Sequence, residues 1–361
     1  MHSAPQSFAV QSHRGPYVVR SGPLADVLPS GLPPEDRLII DRTVQELHPA
    51  VCTLANVEQT CAVTADESLK SLDGVTPILA WLLESGFDRG GTIYAVGGGT
   101  VQDAVGFAAS ILYRGARWIF VPTTLLAQGD SCIGSKSSIN YRGYKNQLGT
   151  FYPPAEIVID DAFLGTLSPA EVRSGVGEML HYAVLSDETD FAAFESVVSA
   201  GLEQLRTPDM TALAMRALAV KRDFIEADEF DTDLRKNLNL GHTFGHGLEF
   251  ASVGRIPHGL AVAYGIDLAN TYAEMRGVLT SAMRARIGDV IRGLVDGREL
   301  GLVTAARILE GISKDKKRSS DGVELVASGR SSCCWRATPS YSSPPHSYTT
   351  EHGEPRLAWM R

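Results

Sequence analysis

Short apolar runs alternate with segments of helical periodicity in the first part of the chain. Strand-like runs stand at residues 37–41, 91–99, 118–124 and 156–160, whereas residues 100–113 repeat apolar side chains with the period of a helix. Continuous apolar runs are typical of strands buried on both faces, as in parallel sheets covered by helices. The pattern therefore predicts an α/β domain with a parallel or largely parallel sheet.

The strand-like runs stop after about residue 165, and helical periodicity then continues to about residue 318. Ser168 opens this part with Glu171 three residues later, a spacing that predicts a capping box at a helix N-terminus. We predict an α/β domain over residues 1–165 and an all-α domain over residues 166–326. Residues 327–361 are rich in serine, proline and threonine without periodicity, so we expect a disordered or atypical tail.

The composition narrows the class of protein. A chain of 361 residues can bury a large core, and 33 basic against 42 acidic residues give a net charge of −9, which argues against nucleic acid as the main partner. Five cysteines, an odd number without zinc-site spacing, favour a reduced protein of the cytoplasm. No apolar run approaches the length of a membrane helix, and the N-terminus lacks the apolar core of a signal peptide.

A glycine-rich turn follows the strand-like run at residues 91–99. Gly97, Gly98 and Gly99 precede the helical segment, and glycines at such a turn let backbone N–H groups approach a phosphate at a helix N-terminus. The standard dinucleotide fingerprint would place a third glycine where Gln102 stands. Taken alone, the turn is as typical of tight strand–helix packing as of nucleotide binding.

Residues 121–154 form a long polar segment with many glycines, for which we expect a loop. Loops of this length inside a compact domain are usually functional. Lysine and asparagine side chains could bind phosphate oxygens, although ordinary solvated side chains would give the same pattern. The candidate residues are Asp130, Lys136, Lys145 and Asn146.

Two stretches carry possible metal ligands. Glu178 and His181 lie three residues apart on one helix face, a spacing that alone is more typical of a surface pair than of a metal site. His242, His246 and His258 lie within 17 residues among glycines, and two histidines with a carboxylate suit a catalytic zinc ion with an open position. The spacing does not determine which two histidines bind, and Glu249 is a competing carboxylate.

Taken together in chain order over residues 37–325, these segments resemble the sugar phosphate cyclases, of which 3-dehydroquinate synthase is the best-known member. The resemblance implies an N-terminal NAD-binding α/β domain and a C-terminal helical domain that binds a metal. It further implies NAD and Zn²⁺ or Co²⁺ as cofactors, a small sugar phosphate as substrate and a homodimer. Neither nucleic acid nor a membrane is an expected partner.

The resemblance also implies residue roles. The metal ligands would be Glu178, His242 and His258. The positions along the NAD site would be Asp41, Glu67, Lys70, Gly98, Gly99, Asp103, Thr123 and Thr124. The substrate pocket would contain Asp130, Lys136, Lys145, Asn146, Lys221, Arg235, Asn239 and His246. Arg114 would reach the phosphate from a neighbouring subunit, and a late lysine, Lys316 or Lys317, would bind phosphate as well.

The implied reaction oxidises one hydroxyl of the sugar phosphate transiently, eliminates phosphate, returns the hydride and closes the ring by an intramolecular aldol step. His181 departs from the family, because the 3-dehydroquinate synthases carry a lysine at that position. A heptulosonate phosphate is the preferred substrate, since Arg235 can bind a carboxylate bidentately. One alternative, which His181 favours, is a secondary-metabolism cyclase for sedoheptulose 7-phosphate or another sugar phosphate. The other is a metal- and NAD-dependent polyol dehydrogenase, against which the phosphate-type residues argue.

Overall fold

A computed structural model of the chain describes residues 7–295, 297–314, 318–319, 322–323, 325–328 and 334–337. The chain divides into two compact units, with the boundary after Leu238. This division comes later than the change from strands to helices, because the last strand of the main sheet ends at Ile159 and the next long helix begins at Pro169. Helices therefore belong to both units, and the predicted limits of the functional domains, 1–165 and 166–326, stay a prediction.

The strands described in the first unit build one large sheet and one hairpin. The sheet has seven strands in the order β1-β2-β9-β6-β5-β3-β4, and only the β1–β2 pair is antiparallel. Strands β7 and β8 form the antiparallel hairpin. The strand bounds are β1 Ser7–Val10, β2 Tyr17–Ser21, β3 Arg37–Asp41, β4 Thr60–Val63, β5 Thr92–Gly97, β6 Arg117–Pro122, β7 Lys136–Tyr141, β8 Tyr144–Phe151 and β9 Glu156–Ile159.

Helices surround the large sheet and follow it in the chain. A π-helical turn at Ala127–Ser131 and a 3₁₀ segment at Leu234–Asn239 also carry candidate residues. The helix bounds are α1 Leu24–Val27, α2 Arg42–Leu47, α3 Pro49–Cys52, α4 Leu72–Glu84, α5 Gly99–Ile111, α6 Pro169–Leu185, α7 Glu188–Ala200 and α8 Thr207–Ala227.

The central strands are buried on both faces, as their continuous apolar runs predict. Side chains alternate between the two faces of a strand, so Ile39 packs in one apolar cluster whereas Leu38 and Ile40 pack in another. On β6, Phe120 packs in the same cluster as Ile39, whereas Val121 packs in the other. The prediction of a largely parallel α/β sheet is confirmed.

The segment at residues 121–154 is not the long loop that its polarity suggested. It contains the π-helical turn and the β7–β8 hairpin. Most side chains of β8 are exposed, so this strand lacks the apolar alternation by which a sequence indicates a strand. The expectation of a loop is therefore wrong here.

The start of α6 has the predicted capping box. The backbone N–H of Ser168 donates to the Glu171 carboxylate at 2.8 Å, and the backbone N–H of Glu171 donates to the Ser168 hydroxyl at 3.3 Å. These bonds satisfy N–H groups that the first turn of a helix leaves without intrahelical partners. The helix that carries Glu178 and His181 thus begins where the sequence predicts.

The second unit is mainly helical, with short strands at its end. Its helices are α9 His242–Ser252, α10 His258–Met275, α11 Ser281–Leu294 and α12 Ala305–Lys314. The hairpin that the all-α prediction missed is β10 Arg318–Ser319 with β11 Gly322–Val323, and β12 Leu325–Ser328 with β13 Cys334–Ala337 forms a second hairpin that extends into the tail predicted for residues 327–361. Lys316 and Lys317 lie outside the described residues, as do residues 338–361 of the tail that we expected to be disordered.

Helices α9 and α10 approach each other at glycines. A Cβ atom at Gly265 of α10 would stand 2.0 Å from the backbone oxygen of Gly241 and 2.8 Å from the backbone nitrogen of Gly245. Gly241 also has a φ of +79°, a conformation that favours glycine. No side chain can be inserted at this crossing without moving one helix away from the other.

Substitution of the crossing glycine tests this packing. We expect Gly265→Ala to lower the free energy of unfolding by about 3 kcal/mol, because the added methyl group meets backbone rather than flexible side chains. Gly301→Ala is the matched control, since a Cβ atom there meets nothing within 4 Å. Denaturant unfolding of both variants measures the difference, and equal stability would contradict the proposed packing constraint.

Candidate active site

The glycine turn lies at the end of β5 and starts α5. A Cβ atom at Gly97 would lie 2.5 Å from Cγ2 of Val101, and one at Gly98 would lie 3.2 Å from Cγ2 of Thr124. A Cβ atom at Gly99 would have only an ordinary contact, 3.6 Å from the Ser131 hydroxyl. Close packing thus explains the first two glycines but not Gly99, which stands at a helix N-terminus, where an anion is favoured.

The neighbouring predicted cofactor positions lie at strand ends. Thr123 follows β6, beside β5 in the sheet, and its backbone N–H donates to the Gly97 oxygen at 3.0 Å. The Thr124 hydroxyl accepts from the backbone N–H of Ala127 at 3.2 Å. Asp41 ends β3 and caps α2 by accepting from the backbone N–H of Thr43 at 3.0 Å. These positions share the carboxyl edge of the parallel sheet, where open α/β sheets bind ligands.

A polar network joins a second group of predicted positions. The Lys70 ammonium lies 2.7 Å from the Asp103 carboxylate and donates to Oδ1 of Asn146 at 3.2 Å. Asp103 also accepts from the backbone N–H of Ser138 at 2.9 Å. Burial raises the pKa of Asp103 above its usual value, although the Lys70 ammonium acts in the opposite direction. Glu67 accepts from the Asn140 side chain at 2.7 Å.

Asp130 and Lys221 form a buried ion pair between the π-helical turn and α8. The Lys221 ammonium donates to the Asp130 carboxylate at 2.8 Å and to its backbone oxygen at 2.7 Å. The Tyr182 hydroxyl also donates to this carboxylate. Burial alone would raise the pKa of Asp130, yet the Lys221 ammonium and its hydrogen bond are among the effects that bring it below its usual value. Tyr182 was not among the predicted residues.

Lys136, Lys221 and Arg235, which we call the cationic cluster, lie on β7, α8 and the 3₁₀ segment. Burial lowers the pKa of Lys136, and repulsion from Arg235 and Lys221 adds to the shift, so Lys136 lies within electrostatic range of both cations. The Lys136 ammonium is paired with Asp231 at 2.5 Å, a contact that the sequence did not suggest. Such a cluster attracts an anion.

Arg235 is held by the loop that precedes it. Its Nη1 donates to the backbone oxygen of Glu229 at 2.7 Å, and its backbone N–H donates to the Asp228 carboxylate at 3.1 Å. A Cβ atom at Gly134, whose φ is +112°, would lie 3.1 Å from Nη2 of Arg235. Gly134 was also missed by sequence reasoning, although an isolated glycine before a polar strand often marks such a close approach.

Glu178 and His181 are both buried on α6. Oε1 of Glu178 lies 3.9 Å from Nδ1 of His181. With Asp130, these side chains place one ligand-type atom each within 4.8 Å of one another. The pair is therefore buried rather than at the helix surface, where such a pair is more usual.

The second unit gathers the three predicted histidines at the start of α9 and α10. Ring centroids lie 5.7 Å apart for His242 and His246, 5.7 Å for His242 and His258, and 6.0 Å for His246 and His258. Nδ1 of His258 lies 3.0 Å from the Glu249 carboxylate. Imidazole nitrogens and a carboxylate oxygen are the donors that zinc and similar divalent ions take, so this cluster fits a metal ion.

The other predicted residues lie as follows. Asn239 ends the 3₁₀ segment three residues before His242, and Lys145 is exposed on β8. Arg114 is exposed after α5, with a φ of +67°. Among the described residues, no helix combines the length and apolar character that crossing a membrane requires.

The fold is shared with two classes of enzyme among solved structures. 2-Epi-5-epi-valiolone synthase from Streptomyces hygroscopicus subsp. jinggangensis 5008, solved with NAD+ and Zn2+ bound, is 28% identical, with a TM-score of 0.77 over 90% of this chain and 92% of that chain. A 2-deoxy-scyllo-inosose synthase complexed with carbaglucose-6-phosphate, NAD+ and Co2+ is 24% identical, with a TM-score of 0.80 over 90% and 92%. Glycerol dehydrogenase from Schizosaccharomyces pombe is 16% identical, with a TM-score of 0.60 over 86% and 84%. The last two show a common fold alone.

Family models separate these classes. The model of the 3-dehydroquinate synthase N-terminal part matches residues 60–174, and that of the C-terminal part matches residues 175–318. The two matches adjoin and together take in well over half of the chain. The chain belongs to the 3-dehydroquinate synthase family.

Removal of one member of the buried ion pair tests its contribution to stability. We expect Lys221→Met to lower the free energy of unfolding by about 3 kcal/mol at neutral pH, because a buried carboxylate loses its counter-ion. Since the folded-state pKa of Asp130 is lowered, the contribution is present above the ordinary pKa of the carboxyl group and is lost as the pH falls through the folded value. The stability difference from wild type should therefore shrink in acid.

The control for this experiment is Arg222→Met, which changes the next residue of α8, a partly exposed arginine paired with Asp223. We expect that control to lie within about 0.5 kcal/mol of wild type. Denaturant unfolding at several pH values measures both variants. A Lys221→Met protein as stable as the control at neutral pH would contradict the assignment.

Proposed function

We propose that this protein is an NAD- and metal-dependent sugar phosphate cyclase, a carbon–oxygen lyase that eliminates phosphate and closes a carbocycle. The observation that carries the proposal is the cationic cluster of Lys136, Lys221 and Arg235, which three separate elements bring together. A phosphorylated acid would neutralise these charges. A polyol has no charge to offer them, so the cluster argues against the polyol dehydrogenase.

NAD is the proposed redox cofactor. The relative that is 28% identical was solved with NAD+, and the glycine turn before the N-terminus of α5 suits a pyrophosphate. Gly98, Gly99, Thr123 and Thr124 would form this part of the site, with Asp41, Glu67, Lys70 and Asp103 along the rest. Because the cofactor returns its hydride within each turnover, the cyclase requires no second redox partner.

The proposed metal is Zn²⁺ or Co²⁺, with Glu178, His242 and His258 as ligands on the basis of the family resemblance. A divalent ion there would polarise the alcohol that is oxidised. His246, one helical turn after His242, is assigned to the substrate phosphate instead. Within the second unit, His246, Glu249 and His258 form a competing ligand set, because their ligand-type atoms lie within 4.8 Å of one another.

Two histidine substitutions distinguish the ligand sets. We expect His242→Ala to lose stoichiometric zinc, because it removes a ligand, whereas His246→Ala should keep zinc and lose turnover. Metal content of the dialysed proteins and metal titration calorimetry are the measurements, so neither depends on activity. Zinc retained by His242→Ala and lost by His246→Ala would establish the competing set.

The proposed substrate is a heptulosonate phosphate, as for 3-dehydroquinate synthase. A guanidinium has five N–H donors, of which the described bond to Glu229 uses one, so Arg235 can also bind a carboxylate in bidentate fashion. The phosphate and hydroxyl groups of the substrate would be bound by Lys136, Lys145, Asn146 and Lys221. Asn239, which follows Arg235 closely in the chain, would belong to the same pocket. The alternative is sedoheptulose 7-phosphate, which lacks the carboxylate. His181 and the 28% identity with 2-epi-5-epi-valiolone synthase favour that alternative.

The experiment is turnover of both sugar phosphates with NAD and zinc, in which released phosphate, carbocyclic product and NADH are measured together. We expect faster turnover of the heptulosonate phosphate without net NADH. Arg235→Ala should raise KM for this substrate by roughly 10- to 100-fold, because a charged hydrogen-bond donor to the carboxylate is lost. Arg222→Ala, an arginine of α8 paired with Asp223, is the control and should leave KM unchanged.

Two outcomes would replace this proposal. Cyclisation of sedoheptulose 7-phosphate alone would establish the alternative substrate, and net NADH without phosphate release would establish a dehydrogenase.

The assembly and its place in the cell follow from the same proposal. Arg114, exposed after α5, would reach the phosphate of a neighbouring subunit in a homodimer. We place the enzyme in the cytoplasm, in aromatic amino acid biosynthesis through the shikimate pathway if it takes the heptulosonate phosphate and in cyclitol biosynthesis if it takes sedoheptulose 7-phosphate. A late lysine, Lys316 or Lys317, would complete the phosphate contacts, although both lie outside the described residues.

A further inference from the structure

Asn140 occupies an irregular position in the β7–β8 hairpin. The pairing register shifts between Ile139 and Tyr141, so Asn140 stands outside the regular ladder. Its backbone N–H donates instead to the backbone oxygen of Lys70 at 2.7 Å, and the residue forms an isolated parallel bridge with Ser71. The irregularity thus joins the hairpin to the segment that precedes α4.

The Asn140 side chain uses both of its polar atoms. Oδ1 accepts from the backbone N–H of Asn146 at 2.9 Å, and Nδ2 donates to Oε1 of Glu67 at 2.7 Å. Only a carboxamide supplies an acceptor and a donor at these two places, since a carboxylate has no proton to give Glu67. The side chain therefore joins two segments that are 79 residues apart in the chain (146 − 67).

The residue that Asn140 holds is conformationally unusual. Asn146 has a φ of +52°, in the left-handed region that asparagine tolerates better than most residues. Oδ1 of Asn146 accepts from the Lys70 ammonium at 3.2 Å and from the Ser138 hydroxyl at 3.0 Å. With this carbonyl oxygen held, the amide nitrogen is the part of the side chain that can donate to a phosphate oxygen.

The network connects two groups of residues with different proposed roles. Glu67, Lys70 and Asp103 belong to the proposed NAD site, whereas Asn146 belongs to the proposed phosphate site. Asn140 bonds to Glu67, to the backbone of Lys70 and to the backbone of Asn146, so it touches both groups. A ligand that orders one group can therefore act on the other through Asn140, in addition to the direct bond from Lys70 to Asn146.

We infer that Asn140 is a positioning residue that couples NAD binding to phosphate binding in the first unit. This role rests on the proposed function, because it requires NAD and a sugar phosphate as ligands. NAD bound against Glu67 and Lys70 orders Asn140, which in turn fixes the backbone of Asn146 for the phosphate. Linkage makes the effect reciprocal, so bound phosphate tightens NAD to the same degree.

The test measures NAD binding by calorimetry with and without inorganic phosphate, and also KM and kcat for the heptulosonate phosphate. Asn140→Ala should weaken NAD about tenfold and raise KM by a similar factor, with kcat changed less than threefold. It should also reduce the tightening of NAD by phosphate that we expect of wild type, with the direct bond from Lys70 to Asn146 left in place. Gln147→Ala is the matched control, because it removes an exposed carboxamide from the same hairpin.

A second pair of variants separates positioning from folding. Asn140→Asp keeps the acceptor for Asn146 but loses the donor to Glu67, so NAD should weaken and the tightening of NAD by phosphate should shrink. Glu67→Gln in the same protein reverses donor and acceptor across this contact and should restore NAD affinity toward that of Glu67→Gln alone. A double-mutant cycle gives the coupling between the two side chains.

The outcomes distinguish this role from the function on which it depends. If wild type binds NAD and forms product, but Asn140→Ala and Gln147→Ala have equal NAD affinity and KM, the positioning role alone is wrong. A lower melting temperature of Asn140→Ala with unchanged ligand affinities would reduce the residue to a support of the hairpin and overturn the inference. If wild type binds no NAD, the proposed function and the positioning role both fail.

Discussion

The contact between α9 and α10 at Gly241, Gly245 and Gly265 is the constraint on which the histidine cluster depends. Because no side chain separates the two backbones there, the helices run close enough for His242 and His246 of one to meet His258 of the other. The glycines also explain why this stretch of sequence is poor in helix-favouring residues. The glycines lower the helix propensity of this stretch but allow a short interhelical distance. The packing of α9 against α10 and α12 compensates for the lower propensity.

In the first unit, ion pairs rather than close backbone packing position the candidate residues. Each lysine of the cationic cluster is paired with an acid, Lys221 with Asp130 and Lys136 with Asp231, and these acids hold the lysines in place before any ligand arrives. The Arg235 guanidinium donates instead to the backbone oxygen of Glu229, which carries no formal charge. Preorganised charges of this kind stabilise an incoming anion without the cost of gathering them during binding. The pairs thus let the folded protein hold buried lysines at the site proposed for phosphate.

The sequence predicted those features whose cause is local. β3, β5, β6 and β9 carry continuous apolar runs, and the capping box of Ser168 and Glu171 depends on residues three apart, so both were recognisable. The β7–β8 hairpin was missed because its exposed strand has no apolar pattern. Contacts such as that of Lys136 with Asp231, 95 residues apart, follow from tertiary folding and leave no periodic trace. The family resemblance supplied the candidate residues, but it did not supply the supporting ones, Tyr182, Gly134 and Asn140.

The choice between the two proposed substrates depends on which groups His181 and Arg235 each contact. His181 is buried on α6, with its ring against Tyr182 and its Nδ1 3.9 Å from Glu178. The replacement of the family's lysine therefore affects these buried neighbours first. Arg235 is fixed by Glu229 and has room beside Gly134, and it keeps donors with which to bind a carboxylate. Under the proposed function, a change near Glu178 would alter how the reacting hydroxyl is oriented, whereas Arg235 would bind the carboxylate that distinguishes a sugar acid from a sugar. The retained arginine therefore weighs more than the altered histidine in favour of a carboxylated substrate.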